Sequence, residues 1–98
     1  MKAELLLRER IDYQDGAFIE MKVWRVPTPV PPSEHDLKYS LVYIVDGQRI
    51  VGYDNERGKG DHRHHGPGGA EETQYEFRGV RQLIADFRAE VLSVRGSI

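Results

Sequence analysis

Two Asp-Gly pairs, Asp15-Gly16 and Asp46-Gly47, each stand between runs in which apolar and polar residues alternate. Both residues of such a pair tolerate positive φ, so they favour two-residue turns between antiparallel strands. Alternation with a period of two marks a half-buried strand. Over residues 3–13, Leu5, Leu7, Ile11 and Tyr13 fall on one face, against Glu4, Arg8, Arg10 and Asp12; Leu6 and Glu9 break the pattern. Residues 17–27 alternate again through Ile19, Met21 and Val23. Residues 37–46 set Tyr39, Leu41, Tyr43 and Val45 on one face and Val42 and Ile44 on the other. With both faces apolar, this third segment reads as a central strand covered on both sides. Residues 48–53, with Ile50 and Val51, form a fourth strand. Between the second and third strands stand Pro27, Pro29, Pro31 and Pro32. Each fixes φ and lacks an N–H, so this stretch is a stiff, extended connection.

The period changes near residue 80. Val80, Leu83, Ile84, Phe87 and Val91 follow the i, i+3, i+4, i+7, i+11 spacing of an amphipathic helix, with Gly79 as its N-cap and Gly96 as its stop. Residues 66–73 read as a mobile loop, and Tyr75-Glu76-Phe77 as a short fifth strand. The 98 residues form a single domain, 1–98. The expected architecture is α+β: an antiparallel meander of four to five strands with one C-terminal helix packed across one face. A domain this small has little stability to spare, and a homodimer or a bound partner would help it.

Composition removes several classes of function. The formal net charge is -2, from 14 basic and 16 acidic residues, which argues against a protein that coats nucleic acid. There is no cysteine, hence no disulfide and no thiolate ligand. No apolar run is long enough to span a bilayer, and the apolar run near the amino terminus is too short for a signal peptide. A cytoplasmic protein with no membrane partner and no cofactor is expected.

The chemistry concentrates in Tyr53-Asp54-Asn55-Glu56-Arg57-Gly58-Lys59-Gly60-Asp61-His62-Arg63-His64-His65, where three of the four histidines lie within residues 62–65. Imidazole exchanges a proton near neutral pH, and Lys59 and Arg63 add fixed positive charge. On a loop after the fourth strand, this set suits metal-independent cleavage of RNA, whose own 2′-hydroxyl is the nucleophile. His62 and His64 are the acid–base candidates. Lys59 and Arg63 would hold phosphate, and Asp61 would orient a histidine. Tyr53, Asp54, Asn55 and Arg57 are candidates for substrate binding, with Tyr53 stacking on a base or donating a hydrogen bond. In an extended segment His62 and His64 share one side, while Lys59, Asp61, Arg63 and His65 share the other. Gly58 and Gly60 are what would break that alternation. A second reading is a metal site of Asp61, His62 and His64, completed by His35 or an acidic residue. A third makes the segment solvated surface, or a non-catalytic module gripping protein or nucleic acid.

The motif from Tyr53 to His64 resembles the signature of the TumE-like family of bacterial toxin–antitoxin proteins. Lys2-Ala3-Glu4-Leu5-Leu6-Leu7, Asp15-Gly16-Ala17-Phe18, Trp24 and Gln82-Leu83-Ile84-Ala85-Asp86-Phe87 are similar to the same family. The resemblance implies a small toxin of a type II pair, an RNA substrate, and a cognate antitoxin with a helix-turn-helix DNA-binding domain. The extension His65-Gly66-Pro67-Gly68-Gly69 is longer and richer in glycine than that pattern.

Overall fold

The computed structural model describes residues 3–29, 31–33, 35–56 and 58–96. Strands β1 (Glu4–Asp12), β2 (Phe18–Arg25), β3 (Leu37–Val45), β4 (Gln48–Glu56), β5 (Gly60–His65) and β6 (Glu71–Gln74) form one antiparallel sheet in sequence order. A 3-10 turn, Pro67–Gly69, joins β5 to β6, and the helix α1 spans Val80–Arg95. The expected α+β meander is present, with six strands rather than four to five. The two further strands come from the histidine motif, which is half of a hairpin and not a loop, and from residues 71–74. Residues 75–77 carry no strand of their own, although the Tyr75 N–H donates to the Asp61 carbonyl at 3.0 Å.

The turns follow their chemistry. Asp46 (φ 51°) and Gly47 (φ 77°) both have positive φ, as a two-residue hairpin of this type requires. The first hairpin differs from expectation. Tyr13 N–H bonds the Ala17 carbonyl (2.8 Å) and Gly16 N–H bonds the Tyr13 carbonyl (3.1 Å), so three residues form the loop. In β1, Leu5 pairs with Trp24 and Leu7 with Val23, which leaves Leu6 as an inserted residue. That bulge shifts the alternation by one and turns Leu5 off the core face, where it is half exposed.

One face of the sheet carries the core: Ala17, Ile19, Met21 and Val23 from β2, Tyr39, Leu41 and Tyr43 from β3, Val51 and Tyr53 from β4. Leu83, Phe87 and Val91 of α1 complete it. Each fully buried side chain of this kind contributes about 1.5–3 kcal/mol. Polar links fix the helix: Tyr53 Oη donates to Glu90 Oε1 (2.6 Å), Tyr75 Oη to Asp86 Oδ2 (2.6 Å), and Arg95 Nη1 to Tyr43 Oη (3.0 Å). On β3, Val42 and Ile44 are only half-buried, so the helix covers that strand on one side and the two-sided cover expected from its composition is not found.

Candidate functional site

Register sorts the motif onto two surfaces. β4 and β5 pair Gly52 with His64, Tyr53 with Arg63, Asp54 with His62 and Asn55 with Asp61. β5 and β6 pair His62 with Gln74 and His64 with Glu72. Residues paired across a ladder share a face. Asp54, His62, His64 and Glu72 therefore look away from α1, while Tyr53, Asn55, Asp61 and Arg63 look toward it.

On the face turned from the helix, His62 is 3% exposed. Its Nδ1 lies 2.8 Å from the Gly60 carbonyl. A carbonyl only accepts, so Nδ1 bears the proton and donates it. Nε2 is then 2.8 Å from Asp54 Oδ1 and 3.5 Å from Glu72 Oε1. Asp54 Oδ1 is buried and accepts no hydrogen bond among the described residues, because the close imidazole nitrogen is not aligned with it. The His64 ring stands edge-on to that of His62, centroids 5.0 Å apart. Donor atoms of Asp54, His62 and His64 all lie within 4.8 Å of one another.

Cations border this cluster. The stem of Arg49 lies over Gly52, where a Cβ would come 2.8 Å from Arg49 Cδ. Partial burial, and then the Arg49 guanidinium, hold the His64 imidazole below its ordinary pKa, which favours its neutral form. Lys59, on the turn, reaches Glu72 at 3.3 Å. Arg57 lies outside the described residues.

The helix-side residues have other work. Asp61 accepts from Ser33 Oγ (3.1 Å), His35 Nε2 (2.8 Å) and Tyr39 Oη (2.6 Å). It does orient a histidine, but that histidine is His35 and not His62 or His64. Asp61 is therefore absent from the cluster that the metal reading gave it, and Asp54 stands in its place. Arg63 Nη1 pairs with Glu90 Oε1 at 3.0 Å and points away from any phosphate bound beside His64. Asn55 is 1% exposed; its Oδ1 accepts from Tyr39 N–H (3.0 Å) and its Nδ2 donates to the Leu37 carbonyl (2.7 Å). Its amide prolongs the β3–β4 pairing, and its burial keeps it from substrate. Tyr53 is buried against Phe87 and Tyr75, which leaves no ring face for a base.

The family model described as Toxin TumE matches residues 2–95. The chain belongs to the Toxin TumE family. The match covers every strand and the helix, so the family is shown for the fold as a whole. No curated protein and no solved structure matches the chain. Arg49 and Glu72 were not legible as site residues in this TumE-family chain. The signal that finds them is register: once β4, β5 and β6 are paired, both come beside His64.

Proposed function

We propose that this chain is the toxin of a toxin–antitoxin pair, neutralised by a cognate antitoxin of the helix-turn-helix DNA-binding type, and that it cleaves RNA on the face of β4–β6 turned from the helix. The observation that carries the reading is the place of His64: a half-buried imidazole beside a second histidine, bordered by Arg49 and Lys59, with its pKa lowered by burial and by Arg49. Cleavage at the 2′-hydroxyl needs a group to take its proton and positive charge to steady the phosphorus. His64 offers the lone pair that takes the 2′ proton, and the 5′-oxygen takes a proton from solvent water as its bond to phosphorus breaks. Arg49 and Lys59 offer the charge. His62, buried and tethered to the Gly60 carbonyl, holds its neighbours in place rather than shuttling protons.

One observation favours a second mechanism on the same face. The buried, unsatisfied Oδ1 of Asp54 suits a bound cation, in which case the His64 lone pair is a ligand. Both versions share a test. His64→Ala is expected to abolish growth inhibition while circular dichroism and antitoxin binding match the parent. Full toxicity in that variant, or no RNA cleavage by the purified parent under any ionic condition, overturns the ribonuclease reading and leaves a module that acts by binding.

A further inference from the structure

We infer that Asp54, His62 and His64 form a binding site for a divalent first-row transition-metal cation. Cation binding stands apart from the ribonuclease reading; only its part in cleavage rests on that reading.

Three features of the cluster support a metal. The first is the tether on His62. The Gly60 carbonyl fixes the Nδ1 proton and so leaves the Nε2 lone pair open beside Asp54 rather than aimed at it, and this tether is the outer support that metal-ligating histidines commonly have. The second is the way Asp54 approaches. Its Oδ1 is buried, stands 2.8 Å from Nε2, and is off the line a hydrogen bond needs. Two ligands with bonds of about 2.1 Å stand that far apart when the angle between them is roughly 85°. Tetrahedral ligands would be about 3.4 Å apart. The Asp54–His62 spacing therefore fits adjacent positions around a six-coordinate cation. The third is His64, whose donor atom lies within 4.8 Å of the other two. Its ring is half-buried, and joining the other two as the third ligand would require a change in its side-chain torsions.

Two imidazoles and one carboxylate are the donor set of transition metals with open positions. Calcium and magnesium prefer oxygen throughout. Glu72 Oε1, 3.5 Å from His62 Nε2, adds negative charge at the rim. Arg63, which the sequence inserts between the two histidines, is turned to Glu90 on the other face and does not repel the cation. With three ligands from the chain, a six-coordinate cation would keep positions for a phosphate oxygen and water. There the cation would stabilise charge on phosphorus and lower the pKa of bound water.

The test uses the purified full chain, stripped with a chelator, then titrated calorimetrically with Mn²⁺ and separately with Zn²⁺. Saturable binding of one cation per chain is expected. His64→Ala and Asp54→Asn should each weaken it at least ~10-fold, the size that follows loss of a group supporting a metal. His65→Ala, on the helix face, should bind as the parent does. Circular dichroism checks the folding of the Asp54 variant, and the half-buried His64 supplies the second variant. Absence of saturable binding, or equal affinity in His64→Ala, overturns the site. RNA cleavage by the same samples is scored with and without chelator. Bound metal with no cleavage keeps the site and ends the ribonuclease reading. Cleavage untouched by chelator in a chain that binds no metal does the reverse.

Discussion

At the scale of single residues, alternation had already sent His62 and His64 one way and Asp61 and Arg63 the other. What each would meet was not legible. Asp61 meets Ser33 and His35 from the proline-rich connection and Tyr39 from β3, none of them its sequence neighbours. It is an acceptor for three donors at the edge of a cavity of about 490 Å³ lined by Pro32, Ser33, His35 and Phe77. Asp61→Asn keeps the size but turns an amide N–H₂ toward one of those donors. Leaving a buried donor unpaired costs about 1–3 kcal/mol. Urea unfolding should show that loss, with metal binding at Asp54, His62 and His64 retained. Unchanged stability together with lost toxicity would return Asp61 to the reacting centre.

At the scale of elements, β5 carries the histidines because both its edges are paired. β4 supplies Asp54 on one side and β6 supplies Glu72 on the other. The connection to β6 is set by Gly69. Its φ is +69°, and a Cβ there would lie 2.3 Å from the Arg49 carbonyl oxygen and 3.0 Å from that of Ile50. Backbone cannot give way as a flexible side chain can. Gly69→Ala combines the left-handed penalty with overpacking and should cost about 2–4 kcal/mol, read from the thermal midpoint. It should also loosen β6 and so weaken function, whereas a midpoint equal to the parent's would show that the turn does not dock on β4. A glycine-rich stretch such as 66–69 looks mobile in sequence because the carbonyls that confine it come from another strand.

At the scale of the whole molecule, three phenols are held by carboxylates: Tyr39 by Asp61 across the sheet, Tyr53 by Glu90 of α1, and Tyr75, just past β6, by Asp86 of α1. Burial, and then the bond to Asp61, push the Tyr39 phenol far above its ordinary value of 10.0. Burial and the bond to Glu90 push Tyr53 up to about 12, and burial and the bond to Asp86 raise Tyr75 as well. A raised pKa means that the folded chain keeps protons the unfolded chain has lost. This contribution is complete below pH ~10 and declines above it, by about 1.4 kcal/mol per pH unit for each phenol still protonated in the fold. Urea midpoints should accordingly fall between about pH 10 and pH 12, with phenolate absorbance appearing together with unfolding. A midpoint independent of pH in that window would show that these phenols are not held by the fold.

The antiparallel meander, the Asp46-Gly47 turn, the helical stripe from Val80 to Val91 and the family can be read from the chain alone, because each is written in residues near one another. Tertiary structure alone decided which groups share a surface. Arg49, Asp54 and Glu72 reach His62 and His64 only through strand register, and Asp61 is taken from them by His35. Register is settled by turn lengths, bulges and buried faces acting together across the sheet, so no local window of the chain contains it.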